Sequence, residues 1–321
     1  MRTKTKVWLL VATALVLVGG ILFAGVMTTL GWDFTKLSTA QYETNYYEIA
    51  ENYKNIRIAT DTAHIVFVPA ENDKSSVVCF EQKNSKHLVT VKEGTLVIEV
   101  VDVREWFEHI GINFGMPKIT VSIPQAEYGT LSVTSGTGDV KIPKEFKFES
   151  MDIWESTGDV TNSASASQAI KIKTSTGNIR IENVSAGSLD LSVSTGGVTV
   201  SNVVCQDDVK INVSTGKTNL TEMDCMSVIS SGTTGDISLK NVMAAEKFSI
   251  KRSTGDVRFD CSDAAHISVQ TDTGDVTGSL LTEKIFITQT ETGDVEAPPS
   301  TTGGRCEITT DTGDVSITLC S

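Results

Sequence analysis

A Thr-Gly pair recurs ten times between residues 137 and 313, with its glycine at Gly138, Gly158, Gly177, Gly196, Gly216, Gly235, Gly255, Gly274, Gly293 and Gly313, and every spacing is 19 or 20 residues. A strict period of this length is the mark of one supersecondary unit stacked on copies of itself. It sets the architecture of more than half of the 321 residues. It also weighs against an enzyme, because ten similar turns do not build one unique pocket.

The hydrophobic pattern has a fixed phase relative to each glycine. Seven residues before it stand Leu131, Met151, Ile170, Leu189, Val209, Val228, Phe248, Ile267, Phe286 and Cys306. Five before it the column runs from Val133 to Ile308, with Ser230 and Thr288 as polar members. Two after it the column runs from Val140 to Val315, with Thr218 as the exception. Apolar residues two apart mark half-buried strands. Each repeat therefore reads as two short strands flanking a Thr-Gly corner. A single repeat cannot bury its apolar face, whereas a stack can. The expected fold is all-β, a parallel β-solenoid of about ten 19–20-residue coils over residues 131–321. At roughly 4.8 Å per coil the stack would extend about 48 Å.

The corner residues have local reasons. Glycine reaches positive φ without steric cost. The threonine before it shares the alternation phase of the apolar positions, which predicts an inward side chain whose hydroxyl bonds the next coil. The residue after it is aspartate in seven copies and otherwise Asn178, Gly197 or Lys217. Short polar side chains of this kind bond nearby backbone in turns.

Before the repeats, Arg2, Lys4 and Lys6 precede the uncharged stretch Val7–Leu30. As a helix, 24 residues span about 36 Å, enough to cross a bilayer. The run is longer than a signal-peptide core, and Phe23-Ala24-Gly25-Val26 is a poor cleavage site. The reading is an uncleaved anchor at 7–30, a cytoplasmic tail at 1–6 and the remainder extracytoplasmic. Residues 31–50 read as a linker. Residues 51–130 carry irregularly spaced strands, among them Ile65-Val66-Phe67-Val68 and Ile119-Thr120-Val121-Ser122-Ile123, expected to form a β cap or degenerate early coils. The segment Trp106–Met116 is an aromatic-rich insertion, read as a loop over the core's end or a partner contact.

Cysteine and charge narrow the partners. The net charge is −13 with a pI near 4.8, which argues against nucleic acid, since phosphate needs a basic face. The six cysteines show no metal-ligand spacing. Cys205 and Cys225 fall nine residues after their glycines, where other coils place Ala186, Ala244 and Ala264. That position reads as small and buried, holding either two free thiols or a disulfide between adjacent coils. Cys306 occupies a core column, and Cys79, Cys261 and Cys320 fit no pattern.

The N-terminal anchor, the irregular β region with Ile119-Thr120-Val121-Ser122-Ile123-Pro124 and the serial Ser/Thr-Thr-Gly-Asp-Val repeats resemble the bacterial putative-adhesin domain family, over roughly residues 50–321. The resemblance implies a β-solenoid in the bacterial cell envelope, with an adhesive or envelope-stress accessory role. It carries no catalytic motif, so no catalytic, cofactor or metal residue is assigned.

Several functions compete on the residues. A non-enzymatic, membrane-anchored extracytoplasmic protein with a cell-wall, surface-protein or glycan partner fits best. A polysaccharide lyase or hydrolase would need converging carboxylates. The corner aspartates instead repeat as a turn feature, and His64, His87, His109 and His266 are scattered among strands. Ice binding fits poorly with a threonine column at an inward corner beside charges. Calcium could bridge a column of aspartates, but Asn178, Gly197 and Lys217 interrupt it. Finally, the last coil stops at Ser321, eight residues after Gly313, so Val315–Leu319 reads either as a frayed end blunted by Asp311, Asp314 and the terminal carboxylate or as an open edge suited to end-to-end association or capture of a partner strand.

Overall fold

The structure is a computed structural model that describes residues 3–37, 41–102 and 115–320. Helix α1 covers Thr3–Thr29, is apolar around its circumference and is long enough to cross a membrane. The rest of the described chain is β, and its strands form one continuous hydrogen-bonded array. The expected parallel solenoid is present.

Each Thr-Gly coil runs in register with its neighbours. Leu131, Met151, Ile170, Leu189, Val209, Val228, Phe248 and Ile267 pair serially in one parallel ladder. These side chains are buried, and so are most members of the two other apolar columns. Each such Val, Leu or Ile stabilises the rod by about 1.5–3 kcal/mol. A coil makes three ladders rather than the expected two. After the corner strand the chain bends again six residues past the glycine, at Asn183, Asn202, Glu222, Asn241 and Cys261, all at φ between 47° and 59°. A third ladder follows, in which Ala186 pairs with Cys205 and Cys225 with Ala244. A register shift then starts the next coil. The second bend escaped sequence reading because asparagine tolerates the left-handed region but does not announce it as glycine does.

The ten corner glycines have φ between 129° and 152°, as expected. Steric crowding adds a second demand. A Cβ on Gly216 would lie 1.8 Å from the carbonyl oxygen of Gly196 in the adjoining coil. The corner threonines correct the sequence reading, since Thr137, Thr157, Thr176 and Thr195 are exposed. The ladder omits the residue before each of them, so the chain kinks there and the alternation changes phase. The inward polar place is three residues before the glycine. Thr174, Thr271, Thr290 and Thr310 occupy it, and their hydroxyls donate to the corner glycine carbonyl of a neighbouring coil.

The N-terminal strands are β1 (Tyr42–Ile49), β2 (Asn55–Thr62), β3 (His64–Pro69), β4 (Ser75–Gln82), β5 (Ser85–Lys92), β6 (Thr95–Asp102) and β7 (Lys118–Ile123). Both early coils and a cap exist here. Strands β2 and β3 flank Ala63 as a coil with alanine at the corner, paired in parallel with residues 131–137 and 140–141. Strands β6 and β7 form a further coil on its outer side. Antiparallel β4 and β5 cover that end, and β1 pairs with β4. The expected linker at 31–50 therefore contains a 3-10 turn, Phe34–Leu37, and an integral strand. Its inward residues include the polar Glu43 and Asn45 beside Tyr47 and Ile49, which hid the alternation. Of the aromatic insertion, Trp106–Phe114 lies outside the described residues.

The C-terminal end departs most from expectation. The coil of Gly313 does not terminate the rod. Strand Gly304–Thr312 pairs with Ile267–Thr273 on one side and with Lys284–Thr292 on the other. Val315–Leu319 pairs with Val276–Leu280. The last coil in sequence is thus inserted between the Gly274 and Gly293 coils. The outermost strand is Lys284–Thr292, with Ile285 and Ile287 exposed. Cys261 and Cys320 form a disulfide with Cα atoms 5.5 Å apart, whereas Cys205 and Cys225 are buried free thiols. The pairing was invisible in sequence because it joins the second-bend residue of one coil to the end of a coil two repeats away in space.

Candidate functional site

Polar groups that could carry function fall into three sets. The first is the aspartate column after the corner glycines. Asp139 Oδ1 accepts the backbone N–H of Asp159 at 3.0 Å, and Asp159 Oδ1 accepts that of Asn178 at 2.7 Å. Asn178 does the same for Gly197. A second run links Asp236, Asp256, Asp275, Asp314 and Asp294 in that spatial order. His64 Nδ1 begins the column by accepting from Asp139 N–H at 3.0 Å. The aspartates thus bond the neighbouring coil's backbone rather than their own turn. Lys217, which interrupts the column, pairs with Asp236 at 3.1 Å. That lysine holds the Asp236 carboxyl below the usual range, with help from the Asp256 N–H.

The second set lies inside the rod. Burial pushes the Glu155 carboxyl up to about 7. Arg252 is also buried, and its guanidinium donates to Ser230 Oγ at 2.9 Å, Thr218 Oγ1 at 3.3 Å and the Lys251 carbonyl. Ser230 is one of two polar members of its apolar column and Thr218 the one exception in its own, so these irregularities and Arg252, in three coils, have one cause. Gly232 leaves room for the guanidinium, since a Cβ there would meet Arg252 Nη1 at 2.9 Å. Desolvation lowers the Arg252 pKa to about 10. Near the other end, Lys284 Nζ and Asp263 Oδ1 form a buried ion pair at 2.6 Å.

The third set lies under the N-terminal cap. Cys79 and Glu81 project from the same face of β4, and His87 enters from β5 after a tight hairpin. Their donor atoms lie within 4.8 Å of one another, and all three residues are buried. Glu81 Oε2 accepts the His87 backbone N–H at 2.6 Å and lies 2.6 Å from His87 Nδ1. Asn45 Nδ2 donates to Glu81 Oε1 at 2.7 Å. His87 Nε2 lies 2.8 Å from Thr60 Oγ1, and the Tyr47 hydroxyl donates to the His87 carbonyl. Burial, reinforced by Glu81, raises the Tyr47 pKa. A cavity of about 280 Å³, lined by Thr60, Asp61, Gln82, His87 and Gly115 among others, borders His87 of this group.

Sequence reading assigned no site residue here. Cys79 fitted no pattern and His87 was one of four histidines scattered among strands. Their convergence depends on the β4–β5 hairpin and on Asn45 from the presumed linker. Of the other histidines, His64 sits at the aspartate column, His266 is exposed on a strand and His109 lies outside the described residues.

No curated protein matches the chain. Among solved structures, similarity extends to a "putative adhesin" from Bacteroides fragilis, 17% identical over 75% of this chain and 96% of that one, TM-score 0.45. A second "putative adhesin", from Parabacteroides distasonis, is 14% identical over 76% and 98%, TM-score 0.49. A "putative lipid binding protein" from the same species is 16% identical over 76% and 97%, TM-score 0.48. The Toastrack DUF4097 family model matches residues 53–213 and 205–321, which together span the solenoid and its N-terminal cap. The chain belongs to the Toastrack DUF4097 family.

Proposed function

We propose that the protein is a non-enzymatic, membrane-anchored rod that presents its β faces outside the cytoplasm to a cell-wall, glycan or surface-protein partner. The observation that carries this reading is the joining of one membrane-length helix, Thr3–Thr29, to a solenoid whose corner carboxylates are engaged by backbone N–H groups. Carboxylates held in this way act as rungs between coils. A glycoside-cleaving enzyme instead needs one acid and one base or nucleophile freed toward substrate. The basic residues Arg2, Lys4 and Lys6 before the helix favour a cytoplasmic N-terminus.

Protease treatment of intact cells tests the topology. The expected result is loss of the β region with survival of a short anchored stub. Full protection until lysis would reject the orientation.

A further inference from the structure

The geometry points to a binding site for one borderline divalent transition-metal ion of the zinc type, held by Cys79 Sγ, a Glu81 carboxylate oxygen and His87 Nδ1 beneath the N-terminal cap. Sulfur, nitrogen and oxygen donors already lie within 4.8 Å of one another there. Around a single zinc-type ion such donors sit roughly 3.5 Å apart, from metal–ligand distances of about 2.0–2.3 Å. Small side-chain rotations therefore suffice, and the 2.6 Å contact between Glu81 and His87 opens as the ion replaces the shared proton.

Charge favours the same ion. One thiolate, one carboxylate and a neutral imidazole balance a divalent cation, so the loaded site is neutral. A buried site strongly prefers neutrality. The thiolate and imidazole select zinc-like metals over calcium or magnesium, which take oxygen ligands.

The surrounding contacts are those that metal ligands require. Thr60 Oγ1, 2.8 Å from His87 Nε2, can accept that ring proton and so leave the Nδ1 lone pair for the metal. Asn45 Nδ2 orients the Glu81 carboxylate through its 2.7 Å hydrogen bond. A cavity of about 280 Å³ borders His87 on the side of Thr60 and Gly115.

The test uses the full chain, purified in detergent, stripped of metal and titrated with Co²⁺. We expect one Co²⁺ per chain, with a near-ultraviolet thiolate-to-cobalt charge-transfer band that Zn²⁺ abolishes on displacement. Cys79→Ser should lose the band while keeping the far-ultraviolet β spectrum. Thr60→Val, which preserves volume and touches no metal, should weaken Co²⁺ binding about tenfold. Failure of the wild-type chain to bind Co²⁺ would overturn the site. So would a charge-transfer band that survives Cys79→Ser, since Cys205, Cys225 and Cys306 would then be its source. An unchanged affinity in Thr60→Val would reject the proposed geometry even if Cys79→Ser failed to fold.

Discussion

At Gly216 two demands coincide: a φ of 145° and a neighbouring carbonyl oxygen 1.8 Å from where a Cβ would sit. Gly216→Ala should therefore cost about 3 kcal/mol and lower the melting temperature, while Thr215→Val on the exposed side should cost less than about 0.5 kcal/mol. Equal effects would mean that the phase of the corner is wrong. The pair also locates the limit of sequence reading: a period shows that Thr and Gly are both required, but not that a kink before the threonine turns it outward. Arg252 is a second such case, because its meaning emerges only when Thr218, Ser230 and Gly232 meet in space. Arg252→Met alone strands two buried hydroxyls, at about 1–3 kcal/mol each. Adding Thr218→Val and Ser230→Val should recover most of that loss in chemical denaturation, as buried charges often yield to apolar packing. Glu155 supplies a pH signature. Its folded pKa, near 7, lies above the ordinary carboxylate value of 4.5, so its contribution is intact below pH 4.5 and is lost as pH rises toward 7. The stability of the wild type relative to Glu155→Gln should fall across that window and level off above it. A pH-independent difference would contradict the shift.

Among the elements, the inserted C-terminal coil separates what a repeat reveals from what it hides. Every coil shares one register signal, so periodicity specifies the cross-section but is silent on stacking order. Order here is set by particular contacts: the Cys261–Cys320 disulfide, the Cys320 N–H to Leu280 carbonyl bond at 2.8 Å, and the aspartate rungs that run from Asp275 to Asp314 to Asp294. Thr273 is paired directly with Thr312, and Thr312 with Thr292. A chain carrying Thr273→Cys and Thr312→Cys should therefore form a cross-link under mild oxidation. Thr273→Cys with Thr292→Cys, two coils apart, should not. The reverse result would restore sequential stacking. The N-terminal end follows the same logic, with β6 and β7 outside β2 and β3 although they come later in the chain. The strands of residues 51–130 were legible one by one, but their assembly into a coil plus an antiparallel cap was not, because alternation does not distinguish parallel from antiparallel neighbours.

For the whole molecule, the two ends of the rod are unlike and its net charge is negative. Antiparallel β4 and β5 cover the N-terminal end, whereas the C-terminal end stops on Lys284–Thr292, with Ile285, Ile287 and Val295 exposed around it. Val315–Leu319 pairs with Val276–Leu280 along its length but with Val295–Glu296 only through Val315 and Ser316, so Ile317–Leu319 shares the open edge with Lys284–Thr292, and any end-to-end association belongs to these two strands together. The net charge of −13 and the aligned aspartates raise the question of what holds like charges together. Carboxylates spaced by one coil repel by about 1 kcal/mol in water, and a bridging cation is one remedy. The structure supplies another, since one oxygen of each linked aspartate accepts a backbone N–H from the adjoining coil, a charge-assisted bond stronger than a neutral one. Lys217 offsets charge mid-rod through Asp236. The exposed carboxylates are also solvated and screened over about 8 Å at physiological salt. The rungs therefore predict that the rod forms without calcium. The full chain in detergent should give the same β-type circular dichroism spectrum and melting temperature with and without a calcium-selective chelator. Collapse of the spectrum on chelation would show that the hydrogen-bonded rungs cannot carry the column alone and that a cation completes them.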